Sequence, residues 1–311
     1  MTVINAVGSL PGLGRLLVGT MMDSAVPVER AEVFAKLLPE PLHTRENPFS
    51  NLDATLLALK DIGIVNEVDG MMSLVPEATT MLTGTLLTRS TYRKLLQRFM
   101  FASVDVDPWR VGTGDTLTSG TKDINRALSW SLAQDVRTTL TWNKTDGGSV
   151  SADLLQKDQL PNVPTLQPFA NDVRWNNFIR WSTTLGMAQP AFQGVGIYPD
   201  ATVAIRDVVL EMPPGRLSID EFLDGITRRF PVVRGGALHS SFLQLSVVDP
   251  DPDGASGLLD TTLAQALLAL EEEGIVSVLP VQADADSKTV GLGSVPLRRV
   301  THVEVHGGSV E

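Results

Sequence analysis

Arg89, Arg93, Lys94 and Arg98 form the densest basic cluster in the 311 residues of this chain. On a helix expected over residues 91–101, with Arg89 just before it, Arg89, Arg93 and Lys94 fall within about one turn of each other. Cationic side chains spaced in this way can meet phosphates or an acidic protein surface; the alternative is a solvated helix face. His43 and Arg45 lie just ahead of another expected helix and Asn51 at its start, where a DNA-reading element would carry contacts. Glu271, Glu272 and Glu273 are the acidic counterpart. They follow one another at a helix end that phosphates would repel, so protein docking is the better use for that helix.

Other patterns promise chemistry that the details withhold. Residues 114–122, GDTLTSGTK, look like a phosphate loop, but Thr121 separates Gly120 from Lys122 and no apolar strand precedes. Asp249, Asp251 and Asp253, with Asp260 at the twelfth place, copy the oxygen spacing of a calcium loop. Two prolines within it, and Ser256 where an apolar anchor is usual, favour a solvated connector, so no metal site is expected. His43, His239, His302 and His306 show no metal-ligand spacing, and neither Gly-x-Ser-x-Gly nor His-Glu-x-x-His occurs. No catalytic residue and no cofactor is therefore expected.

Composition narrows the setting. With 43% apolar residues the chain can bury substantial cores in two or three domains. A net charge of -11 repels polyphosphate, so any nucleic-acid contact must rest on local basic faces. The absence of cysteine excludes disulfides, thiolate metal sites and a thiol nucleophile, and fits a reducing compartment. The opening stretch is interrupted by Pro11 and Arg15 and lacks the pattern of a signal peptide, and no apolar run is long enough to span a bilayer. The expectation is a cytoplasmic protein without a membrane partner.

The elements that would position these residues are organised around a repeat. Residues 52–65, LDATLLALKDIGIV, recur as residues 263–276, LAQALLALEEEGIV, with eight of fourteen positions identical. Leucines three and four apart give one apolar helix face, a glycine stops the helix, and Ile-Val opens a strand. This is the third helix of a winged helix running into its wing. The expected fold is α+β and mainly helical, with two winged-helix domains, residues 1–80 and 216–311, flanking a tryptophan-rich helical domain, 81–215.

In the first domain, helices are expected over 13–23, with Leu13, Leu16, Leu17 and Met21 inward, and over 28–38, with Ala31, Val33, Phe34 and Leu37 inward. Ser50 or Asn51 would cap the repeated helix, and Asp69-Gly70 would turn a hairpin. All five tryptophans fall in the middle, which suggests a separate core with helices over 91–101, 123–135, 172–185 and 201–211 and a strand over 138–142. In the third domain, Ser218 and Glu221 suggest a capping box for a helix over 219–230, followed by a helix over 238–245 and the repeated helix capped by Asp260. Strands 275–281 and 289–292 would form the wing, and 300–305 a closing strand.

Four segments carry a family resemblance: INAVGSLPGLGRLL near the start, DINRALSWSLAQD at 123–135, NDVRWNNFIRWSTTLGMA at 171–188 and YPDATVAIRDVVLEM at 198–212. In these the chain resembles DpdG, a component of the bacterial Dpd cluster that places 7-deazaguanine bases in DNA and restricts DNA lacking them. None of the segments is a catalytic signature. The resemblance implies a non-enzymatic accessory working with ATPase or helicase subunits of the same defence complex. With the acidic surface and the paired winged helices, it points to an adaptor or scaffold that docks such a partner and touches DNA through Arg89 to Arg98. Two alternatives stay open: a winged-helix transcriptional regulator reading an operator with its first domain, and an enzyme with an unrecognised site in the middle domain.

Overall fold

The computed structural model describes residues 2–24, 26–102, 107–110, 120–143, 148–192, 196–248, 257–280 and 287–307. The fold is α+β, about half helical, with twelve α-helices and three small sheets among the described residues. In chain order the elements begin with α1 (Pro11–Met22), β1 (Val28–Glu29), α2 (Arg30–Leu37), α3 (Ser50–Ile62), β2 (Val65–Val68), β3 (Met71–Leu74), α4 (Pro76–Leu82) and α5 (Arg89–Met100). Next come α6 (Lys122–Ser131), β4 (Leu140–Thr141), β5 (Val150–Ser151), α7 (Ala152–Gln159), α8 (Asp172–Thr184), β6 (Ala188–Pro190), β7 (Gly196–Pro199) and α9 (Thr202–Val209). The remainder is β8 (Gly215–Ser218), α10 (Ile219–Arg229), α11 (Ala237–Leu245), α12 (Thr261–Glu272), β9 (Val276–Pro280), β10 (Lys288–Val290) and β11 (Arg298–Val305). Contacts gather these into two compact units, Met1–Asn125 with Phe169–Leu185, and Arg126–Pro168 with Gly186–Glu311. Residues 81–215 are thereby shared between the two.

In the first unit α1, β1, α2, α3, β2 and β3 follow one another, with the strands in the order β1-β3-β2. The hairpin turns at Asp69 and Gly70, both with positive φ, as the dipeptide requires. Three local expectations are corrected. The second helix starts at Arg30, because Val28 and Glu29 pair with Met72 and Met71 as a strand. Its Ala31 is exposed, and in α1 Gly14, Leu17, Val18 and Met21 face inward while Leu16 points out. The residue before α3 is Phe49, which supplies no side-chain cap, so neither Ser50 nor Asn51 is the N-cap.

Helix α8 belongs to this unit. Asn171 caps it by accepting from Arg174 N at 3.0 Å, and its buried face meets the N-terminal residues. Asn177 Nδ2 donates to the carbonyls of Ile4 and Ala6, each at 3.1 Å, and Trp181 Nε1 donates to Ser9 Oγ at 3.0 Å. Phe169 packs edge-on to Trp175 at 5.0 Å. Two tryptophans from the stretch expected to build its own core thus complete the core around residues 3–9.

In the second unit β4 to β7 form one sheet in the order β5-β4-β7-β6. The other sheet is centred on β11, which pairs antiparallel with β8, β9 and β10. This corrects the expected wing: residues 276–280 and 288–290 each pair with the final long strand and not with one another. The capping box is present, with Glu221 N donating to Ser218 Oγ and the Glu221 carboxylate accepting from Ser218 N. Asp260 caps α12 as expected.

The repeat adopts one local structure twice. Leu52, Thr55, Leu56, Leu59 and Val65 are buried in one copy, and Leu263, Ala266, Leu267, Leu270 and Val276 in the other. Gly63 and Gly274 take positive φ, and the next N–H reaches back five residues, from Ile64 to Leu59 O at 3.0 Å and from Ile275 to Leu270 O at 2.9 Å. Both ends are thus Schellman caps, in which glycine satisfies helix carbonyls that would otherwise lack donors.

Candidate functional site

The basic cluster is built on α5. Thr88 caps this helix by accepting from Thr91 N at 3.1 Å, and Tyr92, Leu95, Leu96, Phe99 and Met100 form its buried face. Gln97 Nε2 locks that face by donating to Leu185 O at 2.9 Å. The cationic residues lie off that face, with Arg89 and Arg98 exposed and Arg93 half-buried, and they do not act as one group. Arg98, at the far end, donates from Nε to Glu77 Oε1 on α4 at 2.9 Å. Lys94 is half-buried.

Arg89 and Arg93 instead line a cleft of about 400 Å³ together with Arg15, which no sequence pattern had marked for this site. The cleft also takes in Pro11 and Gly12 at the start of α1, Tyr92 of α5, and Thr183 and Thr184 at the end of α8. Arg15 Nη1 donates to Leu87 O at 3.4 Å, and Arg93 Nη2 reaches Ser90 Oγ at 3.4 Å. The Tyr92 hydroxyl is buried without a hydrogen-bond partner. It lies so close to Gly14 that a Cβ there would be 2.3 Å from it. Burial pushes this phenol well above its usual pKa, against the opposing charge of Arg15, so it stays protonated. No carboxylate lines the cleft among the described residues. A cleft of this make-up is suited to an oxyanion.

The expected contacts ahead of α3 are scattered. His43 Nε2 donates to Leu38 O at 2.9 Å, and its ring sits 5.6 Å from that of Phe49. Arg45 and Asn51 are exposed, and the Asn51 carbonyl accepts from Thr55 Oγ1 at 2.6 Å. The charges of α3 itself are engaged within the unit. Asp53 pairs with Arg30, Arg30 with Glu67 at 3.2 Å, and Lys60 with Glu67 at 2.8 Å. Its hydrogen bond to Lys60 helps to hold the Glu67 carboxyl below the usual range.

The acidic triplet is likewise mostly engaged. Glu271 binds Arg298 at 2.5 Å and accepts from Val278 N at 3.3 Å, while Glu273 binds Arg206 Nε at 2.7 Å. Glu272 is exposed. Asp249, Asp251 and Asp253 lie outside the described residues. Asp260 Oδ1 accepts from Leu263 N at 2.8 Å, its other oxygen is buried without a partner, and burial pushes its pKa up to about 6. No group of three metal-ligating side chains occurs among the described residues.

Two further buried titratable groups have structural surroundings. Asp123 is pushed up to about 6 by burial and accepts from Ile4 N at 2.9 Å and Ile124 N at 2.7 Å, fastening the N-terminal residues to α6. Burial pushes His239 down to about 4, and neither of its ring nitrogens has a hydrogen-bond partner. No helix among the described residues is long and apolar enough to cross a membrane.

A family model described as DpdG-like matches residues 1–286. No curated protein and no solved structure matches the chain.

Proposed function

Because the chain belongs to the DpdG-like family, we propose that it is a non-enzymatic adaptor of the Dpd DNA-modification and defence system. In this reading each copy of the repeated helix belongs to a winged-helix module that docks protein. An ATPase or helicase subunit of the same system is the partner, and DNA is met at the arginine-lined end of α5.

The observation that carries the reading is where the charges of the two repeated helices go. Asp53 and Lys60 on α3 are tied to Arg30 and Glu67, and Glu271 and Glu273 at the end of α12 are tied to Arg298 and Arg206. Base edges are read by donors and acceptors free to enter the major groove. Charges occupied by neighbouring elements and largely acidic suit a rigid protein-facing surface better. The element order α1, β1, α2, α3, β2, β3 supports a winged helix in the first unit. In the second unit β8 precedes α10, and the strands after α12 gather on β11.

Affinity purification of the tagged chain from cells holding its native gene neighbourhood, with nuclease treatment, tests the reading. Stoichiometric recovery of an ATPase or helicase after digestion is the expected result. A chain that emerges alone, or partners that vanish with the nucleic acid, would end it. Exposed Arg45 ahead of α3 favours one second reading, an operator-binding regulator. That protein would bind a short duplex as a symmetric dimer with a steep salt dependence.

A further inference from the structure

We infer that the cleft lined by Arg15, Arg89 and Arg93 binds a terminal phosphate monoester, most simply the phosphorylated end of a DNA strand. The inference deepens the adaptor reading, on which it rests only for the source of the phosphate.

Three guanidinium-bearing residues, from two helices, line one cleft whose described lining holds no carboxylate. Guanidinium groups match phosphate oxygens in geometry and charge, and a monoester dianion can engage more of them than a backbone diester can. The first turns of α1 and α5 border the same cleft, and each is a twelve-residue helix whose N-terminal N–H groups add positive potential. Nothing lies within 4 Å of where a Cβ of Gly12 would stand, so this turn is open to a ligand. A volume of about 400 Å³ suits a nucleotide-sized group.

Charge argues for an end over a continuous backbone. At -11 the chain as a whole repels a run of phosphates, whereas a concave, locally cationic site can hold one dianion with the following nucleotides leading away. Arg98 takes no part, since it is paired with Glu77 at the other end of α5.

The test uses the full chain and fluorescence anisotropy with a short labelled single strand carrying either a 5′-phosphate or a 5′-hydroxyl. Unlabelled mononucleotide and inorganic phosphate serve as competitors. The phosphorylated strand is expected to bind about tenfold more tightly or better, and Arg89→Gln and Arg15→Gln each to remove about tenfold of that affinity. Arg98→Gln should change nothing. Arg89 is exposed, so its variant stays informative even if the half-buried Arg15 variant is unstable.

If mononucleotide or phosphate displaces the strand completely and binds as tightly as it does, the phosphate site stands and a small phosphorylated ligand is its source. Equal binding of the two strands, with no arginine-dependent competition by phosphate or mononucleotide, overturns the inference. So does a loss in Arg98→Gln as large as that in Arg89→Gln. The affinity purification of the parent chain, set beside its anisotropy, separates the two claims. Partner recovered with no phosphate preference leaves the adaptor standing and removes the phosphate site, and a chain that emerges alone with phosphate binding intact removes the adaptor alone.

Discussion

Gly14 and Tyr92 should behave as a coupled pair, because one is small only where the other ends. A Cβ at Gly14 would stand 2.3 Å from the Tyr92 hydroxyl oxygen, closer than side-chain contacts allow. Tyr92 cannot swing clear, being 2% exposed in a packed core. Gly14→Ala gains about 1 kcal/mol from helix propensity but incurs overpacking of about 1–3 kcal/mol, for a net loss of up to about 2 kcal/mol. Tyr92→Phe removes a buried hydroxyl that has no partner, which recovers part of a desolvation cost of about 1–3 kcal/mol. In the double variant the new methyl would lie 3.5 Å from ring carbon Cζ, an ordinary contact, so the propensity gain is realised. The double variant should therefore be more stable than the parent, with a favourable coupling of about 1–3 kcal/mol. Urea unfolding followed by tryptophan fluorescence reads this as a shift in midpoint at constant slope, with Trp175 and Trp181 reporting from the same unit. Two effects that add to within about 0.5 kcal/mol would show that the approach of helix and hydroxyl is not as described.

Three other outcomes follow from the same structure. His239 is held neutral by burial with a pKa of about 4, below its unfolded value, so its contribution is lost as pH falls from about 6.5 towards 4, by at most about 3 kcal/mol. Asp123 and Asp260, raised to about 6, act oppositely and gain stability as pH falls through 6. The difference in stability between His239→Leu and parent should accordingly grow across that window, and a constant offset in pH-dependent denaturation would contradict the assignment. Glu272→Lys should weaken capture of the partner without moving the thermal midpoint, whereas Glu273→Lys, which breaks the pair with Arg206, should lower the midpoint. Capture unaffected by Glu272→Lys would remove the acidic helix end from the docking face. Gly63→Ala and Gly274→Ala should each cost about 1–2 kcal/mol in chemical denaturation, since both occupy the left-handed region; a neutral result at either would mean the two caps differ.

Much of the helical frame was legible because its signals are local. Leucine spacing, an αL glycine and an Ile-Val step specify the end of α3 and of α12 without help from the rest of the chain, and Ser218 with Glu221 does the same for the start of α10. Pairings between distant segments carry no such signal. Residues 276–280 and 288–290 are neighbours in sequence, yet the eight-residue β11 offers each of them a longer edge than they offer one another. The tryptophans look like one core by composition, but Trp181 finds its hydrogen-bond acceptor at Ser9, on the far side of the sequence.

The candidate site divides along the same line. The run from Arg89 to Arg98 was visible as a helix face, and its separation into a cleft-facing pair and an Arg98–Glu77 bridge depends on where α1 and α4 pack. The charges of α3 and α12 make the point from the opposite side. Read along the sequence they appear available to a ligand, and only the neighbouring α2, β2, α9 and β11 show that Asp53, Lys60, Glu271 and Glu273 are already paired. Exposed partial pairs of this kind contribute little to stability, about 0–1 kcal/mol each. Their larger effect is to withdraw charge from a surface that could otherwise attract or repel DNA. Arg15 and Arg89, which line a cleft with no carboxylate among its described lining residues, mark a place where an acidic chain can hold an anion.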